Sequence, residues 1–243
     1  MPEGLYAAGA GMEAAQVQLD AVANDIANAD TPGYQSERIG FQDLLYNTEN
    51  AAPSTAIVGA GAQAGLIGFS QAQGPLQQTG EPLDVGLSGP GYLEVRQPDG
   101  SIGLTRNGVL ELNARGQIVT ASGDELVPPL TLPKGSSADQ IQIASDGTVS
   151  VAGKRVGKIT VVNVPAPDKL LAQAGGVFSI TSASGAATPA KGTQIQQGYL
   201  QQSNVDMVTA MATMESAEQS YDMGSKTIEI EAQMGQIAAT LRG

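Results

Sequence analysis

The N-terminal segment alternates apolar and polar residues with the period of an α-helix. Its apolar positions are separated by steps of three and four, and they are Leu5, Ala8, Met12, Ala15, Leu19, Val22 and Ile26. This heptad spacing predicts one long helix with a single apolar seam, which needs a partner surface. The helix should end near Thr31, because Pro32 disfavours helical geometry in the residue before it and Gly33 permits a left-handed turn.

The C-terminal segment, from about residue 204, shows a similar pattern without proline. The SNVD stretch before it contains Ser203, Asn204 and Val205 and supplies N-cap candidates. One predicted apolar stripe comprises Met207, Met211, Met214 and Tyr221. A second comprises Met223, Thr227, Ile230, Met234, Ile237 and Leu241. The stripes are offset around the helix near Gly224, which indicates a stutter or a mild kink. We expect the two terminal helices to pair as a coiled-coil-like unit.

The middle of the chain has the short alternating pattern of β-strands. The predicted strands cover residues 83–87, 91–96, 102–106, 109–112, 117–121, 141–144, 148–151, 158–164 and 177–181. Between them stand PDGS, RNGV, NARGQ, ASGDE and SDGT, and Asn-Gly or Asp-Gly between apolar runs predicts a hairpin. A spacing of about ten residues is typical of a small, mostly antiparallel sandwich or barrel-like domain.

These patterns predict an α+β protein in four segments. Residues 1–34 form the N-terminal helix and the TPGY turn, and residues 35–80 form an extended connector with many glycines and no clear period. Residues 81–190 form the β domain, and residues 191–243 form a C-terminal return segment and helix. Because an isolated helix is marginal in water, both terminal helices are assigned to one helical assembly domain.

Composition excludes several function classes. There are 12 basic and 24 acidic residues, a net charge of −12, which argues against nucleic-acid binding because that needs clustered lysines and arginines. The chain has no cysteine and no histidine, so it lacks a thiolate nucleophile, a Ser-His-Asp triad and the commonest ligands of zinc and iron. We expect no enzymatic activity, no cofactor, no metal and no small-molecule substrate.

The chain also lacks two targeting signals. No window reaches the roughly 18 apolar residues of a membrane span. The N-terminus has no basic region followed by an apolar core, as a secretory signal would have. These features predict a protein that stays in the cytoplasm or is exported without a cleaved signal peptide.

Two other function classes are consistent with the residues alone. Carboxylate pairs such as Asp124-Glu125, or Glu229 with Glu231, could perform acid–base chemistry of the kind used by glycosidases, although adjacent carboxylates are usually solvated. The β domain could instead be a free-standing binding module, for instance for sugars, with the helices as anchors. A stable monomer with ordered termini would favour that second class.

Three blocks of the sequence resemble the flagellar rod and hook protein family, the axial proteins of the bacterial flagellum. The first block is ANDIANADTPGY, which contains Asn24, Asp25, Ile26, Ala27, Asn28, Thr31, Pro32, Gly33 and Tyr34. The second runs from LDVGLSGPGY to GDELVP, and the third is GYLQQSNVDMVTAMATMESAEQSYDMGSK. Within the family, FQDLLY and the connector leading to GPLQQTGEPLDVGL resemble distal rod proteins, and proximal rod proteins are the alternative. One departure is Gln219-Ser220-Tyr221, where the family commonly carries an arginine.

The resemblance implies a structural role in motility. Family members are exported through the flagellar type III apparatus, and they polymerise helically with themselves and with other rod and hook subunits. The resulting rod crosses the periplasm or cell wall in the basal body and transmits motor torque to the hook. The terminal seams and the C-terminal stripes would then be assembly interfaces, with the helices poorly ordered before assembly.

Charge is concentrated in the terminal segments. Residues 1–37 hold six acids and no base, and residues 192–243 hold six acids and two bases. Helices of this charge repel one another when they are placed side by side in a tube. We therefore hypothesise that Asp20, Asp25, Glu215 and Glu218 meet basic residues of neighbouring subunits, with Arg38 and the middle domain as candidates. The alternative is that these acids face solvent.

Overall fold

The computed structural model describes residues 2–46, 58–133 and 137–240. Contacts along the chain define two units. The helical unit comprises residues 1–27, 37–67 and 206–243, and the β unit comprises residues 28–36 and 68–205. The helices are α1 (Pro2–Ala27) and α2 (Met207–Thr240). The strands are β1 (Glu37–Tyr46), β2 (Val58–Phe69), β3 (Leu76–Gln78), β4 (Val85–Ser88), β5 (Tyr92–Arg96), β6 (Ile102–Thr105), β7 (Leu110–Leu112), β8 (Ile118–Thr120), β9 (Glu125–Leu126), β10 (Ile141–Ile143), β11 (Thr148–Val151), β12 (Lys154–Lys158), β13 (Val161–Asn163), β14 (Leu171–Gln173), β15 (Val177–Ser179), β16 (Thr188–Pro189), β17 (Gln194–Gln197) and β18 (Tyr199–Gln201).

Both terminal helices are confirmed. At about 1.5 Å per residue, the 26 residues of α1 span about 39 Å and the 34 residues of α2 span about 51 Å. The helix α2 begins immediately after Asp206, whose Oδ1 accepts hydrogen bonds from the backbone N–H groups of Val208 (3.0 Å) and Thr209 (3.3 Å). This is N-capping within the predicted SNVD stretch. The hydrogen bonds from Thr209 hold the pKa of Asp206 below its usual value.

The helical unit also contains paired β-structure. Strands β1 and β2 hydrogen-bond to each other, within the segment that the sequence predicts as an extended connector. The sequence gives little sign of this pairing because β2, VGAGAQAGLIGF, lacks regular alternation of apolar and polar residues. Small residues allow a close approach to α1. An ideal Cβ placed on Gly61 would lie 2.7 Å from the Cβ of Ala10.

The β unit is antiparallel in every pairing whose register is defined. Its main sheet runs β14-β15-β6-β5-β9-β8-β7, with β13 pairing with both β5 and β16. Strands β10, β11 and β12 form a second sheet, and β17 and β18 pair with β4 and β3. Among the described residues, the main sheet is not a closed barrel, because its path ends at β14 and β7. The barrel-like alternative is therefore wrong.

The hairpins predicted from Asp-Gly in PDGS and SDGT are confirmed, and the hairpin predicted from Asn-Gly in RNGV is wrong. PDGS, NARGQ, ASGDE and SDGT connect strands that pair directly, namely β5–β6, β7–β8, β8–β9 and β10–β11. RNGV joins β6 to β7, which are not neighbours in the sheet. RNGV does not close a hairpin because its backbone at Gly108 lies against Val85, at the start of β4. The carbonyl of Gly108 accepts a hydrogen bond from the Val85 N–H at 3.0 Å, and a Cβ on Gly108 would collide with Val85.

The core of the β unit is mainly aliphatic, as the low aromatic content predicts. A larger cluster of buried Val, Leu and Ile side chains includes Leu87, Leu93 and Ile118. A smaller cluster holds the aromatic side chains, where Phe178 packs edge-on against Phe69, with ring centroids 5.0 Å apart. Tyr92 of the smaller cluster donates a hydrogen bond from its hydroxyl to Gln35 Oε1 at 3.3 Å, in the segment that follows α1.

Candidate assembly surface

The helix α2 meets α1 through small residues. An ideal Cβ on Gly224 would lie 2.5 Å from the Cγ of Met12, and the carboxylate of Glu231 lies against Gly4. Gly224 meets Met12, and Glu231, seven residues later on α2, meets Gly4, eight residues earlier on α1. The two helices are therefore antiparallel. Ala217 is only 2 % exposed and lies seven residues before Gly224. Ala217, Gly224 and Glu231 thus share one helical face, which we call the α1-facing stripe.

Neither predicted stripe of α2 is this buried stripe. At 100° per residue, the first stripe (Met207, Met211, Met214, Tyr221) and the second stripe (Met223, Thr227, Ile230, Met234, Ile237) lie on either side of it. Most of these side chains are exposed. The exposed fraction is 53 % for Met211, 63 % for Met223, 57 % for Ile230 and 49 % for Met234. Only Met214 is half-buried. Leu241 lies outside the described residues. Among the α2 side chains that the structure describes, Ala217 alone is fully buried.

The seam of α1 is covered within the chain over its central part. Ala15 and Val22 are buried, together with their neighbours Ala14 and Ala21. Ala8, Met12, Leu19 and Ile26 are half-buried, and Leu5 is exposed. The helix therefore has an inner face toward α2 and the β1–β2 pair. The predicted heptad positions form only part of this face, because Ala14 and Ala21, which are outside the predicted seam, are also buried there.

The first half of the NDIANADTPGY stretch connects the end of α1 to β1. Asp25 is 8 % exposed, and its Oδ1 accepts a hydrogen bond from the Glu37 backbone N–H at 3.0 Å. Asn24 Nδ2 donates to Glu37 Oε1 at 2.9 Å. Ile26 is half-buried, and Ala27 is the last helical residue. Asp25 is thus engaged inside its own chain, which does not fit the hypothesis that it meets a basic residue of a neighbour.

The second half of the stretch is a tight turn within the β unit. The carbonyl of Asn28 accepts from the Thr31 N–H (3.0 Å), and the carbonyl of Thr31 accepts from the Tyr34 N–H (3.2 Å). Pro32 fixes its own φ, and Gly33 has φ of +73°. The Gly33 N–H donates to the Gln201 carbonyl at 2.8 Å, and a Cβ at Gly33 would collide with the Arg106–Asn107 backbone. The turn therefore requires glycine for two reasons, conformation and space.

The SNV residues of the predicted interface are also engaged inside the chain. Asn204 Oδ1 accepts from the Ser36 N–H at 2.8 Å, and its Nδ2 donates to the carbonyls of Ser70 (3.1 Å) and Ala72 (2.9 Å). Ser203 is buried, and its Oγ accepts from the Val205 N–H at 3.3 Å. These side chains join separate segments of the β unit, and this role differs from the predicted interface.

Sequence reasoning missed a buried arginine in the β unit. Arg106 is 3 % exposed, and its Nε donates to the Gly91 carbonyl at 3.0 Å. Its guanidinium also donates to Gly89 and lies 5.7 Å from the centre of the Tyr92 ring. Burial lowers the pKa of Arg106 and raises that of Tyr92, since removal from water disfavours both charged forms. An arginine at a strand end looks like an ordinary surface residue, so the sequence carries no signal for this role.

Further features of the chain concern metal binding, the candidate carboxylates and membrane-spanning helices. Within residues 2–46, 58–133 and 137–240, no three acidic side chains converge in a group that could hold a metal ion. Of the carboxylates considered for catalysis, Asp124 is buried beside Thr120, while Glu125 lies on β9. In the same described segments, no helix has the length and apolar character needed to cross a lipid bilayer. Exposed large apolar side chains occur on α1, β1, β2 and β14, and the longest series of them lies on α2, in its two apolar stripes.

Comparison with known proteins identifies the family of this chain. Residues 5–35 match the family model described as "Flagella basal body rod protein". Residues 86–151 match "Flagellar hook protein FlgE/F/G D1 domain", and residues 196–241 match "Flagellar basal body rod FlgEFG protein C-terminal". The chain is 35 % identical to the flagellar basal-body rod protein FlgG of Caulobacter vibrioides, over 99 % of both chains. This chain belongs to the flagellar basal-body rod protein family.

Other members of the rod protein family are nearly as similar. FlgG of Borreliella burgdorferi is 30 % identical over 100 % of this chain and 99 % of its own length. The basal-body rod protein FlgF of Caulobacter vibrioides is 30 % identical over 93 % of this chain and 92 % of its own. The matched family models contain both the NDIANADTPGY turn and α2. The family assignment predicted from those blocks is thus confirmed.

Proposed function

We propose that this chain is a structural subunit of the flagellar basal-body rod, which polymerises through its helical unit. The observation that carries the proposal is the pair of exposed apolar stripes on α2. An apolar surface of this kind on a single chain commonly marks an interaction site. In a rod protein, the partner surface that covers these stripes is the helical unit of neighbouring copies. Contacts of this heterologous type, repeated without closure, give a filament rather than a ring.

The two terminal helices differ in how much of their apolar surface is covered within the chain. The seam of α1 is covered by α2 and the β1–β2 pair in its own chain, so its need for a partner is largely met there. The stripes of α2 are not covered, and they would be buried only on assembly. We propose that the coiled-coil-like character of the terminal helices is completed in the polymer, where α2 stripes meet those of adjacent subunits.

The proposal includes the finer expectations for the rod. The subunit belongs in the distal rod of the basal body, where the shaft crosses the periplasm or cell wall and transmits motor torque to the hook. Its partners are other copies and other rod and hook subunits, and it reaches them through the flagellar export apparatus without a cleaved signal. We retain the proposed division of the chain into segments 1–34, 35–80, 81–190 and 191–243. The first and last segments supply the interfaces between subunits.

The proximal rod is the second candidate position. In Caulobacter vibrioides, identity to FlgG is 35 % and identity to FlgF is 30 %, and both alignments are nearly full-length. The higher identity and the FQDLLY stretch favour the distal position. Labelling the subunit in purified basal bodies by immunoelectron microscopy decides between the two positions. Label next to the hook supports the distal assignment, and label next to the inner-membrane ring supports the proximal one.

A solution experiment tests polymerisation itself. The purified full chain is concentrated stepwise, and the sedimenting fraction is measured and imaged by electron microscopy. We expect monomer below a critical concentration and rods or tubes above it, with amide protons of α2 protected from exchange only in the polymer. A chain that stays monomeric at every concentration, with α2 fully protected from exchange, would overturn the proposal and favour a free-standing binding module.

A further inference from the structure

The oxidisable side chains of this protein are concentrated on the surface proposed for assembly. Five of its seven methionines lie on α2, namely Met207, Met211, Met214, Met223 and Met234. The chain has no cysteine and no tryptophan, so no thiol or indole competes for an oxidant. Thioether sulfur is then the group of this chain most readily oxidised by a peroxide.

Three of the α2 methionines are more accessible than Met12 of α1. Met211, Met223 and Met234 are each about half exposed or more, and they belong to the two apolar stripes. Met12 is half-buried on α1, where its Cγ and Sδ lie against Gly224 of the α1-facing stripe. An oxidant in solution therefore reaches the stripe sulfurs more easily than the sulfur of Met12. Met12 is an internal reference within the same chain.

We propose that Met211, Met223 and Met234 form an oxidation site that is open in the free subunit and closed in the polymer. The reactant is a peroxide, such as hydrogen peroxide. The sulfur lone pair attacks one peroxide oxygen, an S–O bond forms and the O–O bond breaks. The hydroxide that leaves takes the proton of the transferred oxygen and departs as water. Sulfur loses two electrons and the peroxide gains them, so the step balances without another reactant.

The product changes the surface on which assembly depends. A sulfoxide is polar and is a strong hydrogen-bond acceptor, whereas a thioether is apolar. Ile230 and Ile237, which lie on either side of Met234 in the second stripe, have no side-chain donor to satisfy that oxygen, and the Thr227 hydroxyl beside Met223 already donates to a backbone carbonyl. Burying an unpaired polar group is unfavourable, so an oxidised α2 should assemble poorly. Since sulfoxide reductases reverse the reaction, oxidation would hold a subunit in the unassembled state without destroying it.

This inference rests on the proposed polymerisation, and its first test measures reactivity. Purified monomer and preformed polymer are treated with hydrogen peroxide, and each methionine peptide is followed by mass spectrometry for the gain of one oxygen atom. In the monomer we expect Met223, Met211 and Met234 to react several-fold faster than Met12, and in the polymer we expect the three to be protected. Equal rates at Met12 and at the three stripe positions, or equal rates in monomer and polymer, would overturn the proposal.

The second test measures the consequence for assembly. Three chains are compared before and after peroxide: wild type, the triple variant Met211→Leu, Met223→Leu and Met234→Leu, and the control Met12→Leu. Leucine keeps the apolar volume but cannot be oxidised. We expect peroxide to raise the critical concentration of wild type and of Met12→Leu by on the order of tenfold or more. The triple variant should be affected much less, because Met207 and Met214 are the only α2 methionines that it retains. A sulfoxide reductase should restore wild-type assembly.

The outcomes separate this inference from the proposed function. If untreated wild type assembles and oxidised wild type assembles equally well, the oxidation site is refuted and the rod function stands. If the triple variant loses assembly after peroxide as strongly as wild type, another residue is responsible and the site is likewise refuted. If untreated wild type never assembles, the proposed function and the inference that rests on it both fail.

Discussion

A single charged substitution on the second stripe of α2 tests the proposed interface most directly. Ile230 is a large apolar residue that projects from α2 away from the α1-facing stripe, and just over half of it is exposed. Ile230→Asp places a carboxylate at the centre of the second stripe. Because the side chain already faces solvent in the single chain, the folded subunit should lose little stability, within about 0.5–1 kcal/mol.

The effect on assembly should be much larger. Burying a whole isoleucine side chain contributes about 1.5–3 kcal/mol, so covering the exposed half of Ile230 in the polymer contributes about 1–1.5 kcal/mol. The substitution removes this contribution and adds the cost of burying an unpaired carboxylate, which is several kcal/mol. A total of about 4 kcal/mol per subunit corresponds to an increase of roughly a thousandfold in critical concentration, at 1.4 kcal/mol per tenfold.

The assay compares two variants of equal charge. Gln233→Asp introduces the same carboxylate on the same helix, at an exposed polar position outside both stripes. Circular dichroism confirms that each variant is folded, and sedimentation across a concentration series gives the critical concentration. Complementation of a non-motile deletion strain reports the same property in cells. We expect Gln233→Asp to assemble and to restore motility, and Ile230→Asp to do neither.

Two results would refute this reasoning. Assembly of Ile230→Asp near the wild-type concentration would show that the second stripe stays exposed in the polymer. Equal loss of assembly in both variants would show that added charge on α2 is harmful wherever it is placed. Either result would remove the role proposed for the second stripe.

Three further predictions concern the folded chain. Gly33→Ala should destabilise the β unit by about 2–4 kcal/mol in urea unfolding, because alanine is strained at φ of +73° and its Cβ meets backbone. Asn204→Ala should cost about 3 kcal/mol in the same assay, since three hydrogen bonds of about 1 kcal/mol each are lost. The pKa of Asp206 is lower in the folded chain, so its stabilisation of α2 exists above the usual carboxyl pKa and is lost as pH falls through the folded value. Acid titration of helix content should therefore differ between wild type and Asp206→Ala.

Each of these has a result that contradicts it. Wild-type urea midpoints for Gly33→Ala would mean that the turn relaxes and does not need glycine. An Asn204→Asp variant retains the acceptor but loses both donors. If it proves as stable as wild type, the two bonds to Ser70 and Ala72 contribute nothing. Identical acid profiles for wild type and Asp206→Ala would show that the N-cap carboxylate is irrelevant to the stability of α2.

Much of the secondary structure could be predicted from local patterns. Each of the nine predicted strands overlaps an observed strand, and both terminal helices lie where the heptad steps place them. Strand alternation and turn chemistry are local properties, so they are visible in the sequence. The missed strands include β1 and β2, which lie in the segment predicted as a connector, and several short strands. Strands β17 and β18 are short, and they pair with β4 and β3 far away in sequence, where local alternation gives no guide.

The roles of the candidate site residues were harder to predict. Apolar periodicity identified the residues of the α2 stripes but did not show which face of α2 lies against α1. The structure instead turns Ala217 and Gly224 toward α1, because small residues allow the helix axes to approach closely. Similarly, the NDIANADTPGY stretch resembled a family signature, yet its first half hydrogen-bonds to Glu37 at the start of β1 and its second half forms a glycine turn inside the β unit. Neither role can be inferred without the partner residues.

The sequence by itself determined the two long helices, the antiparallel character of the β unit, the glycine turn after α1 and the family of the protein. These follow from the spacing of side chains and from the conformations that proline and glycine allow, which every residue carries locally. Only the tertiary structure decided which face of α2 is used within the chain and which faces are left for neighbours. That choice depends on how closely two surfaces can approach, a property of the pair of helices that no single stretch of sequence contains.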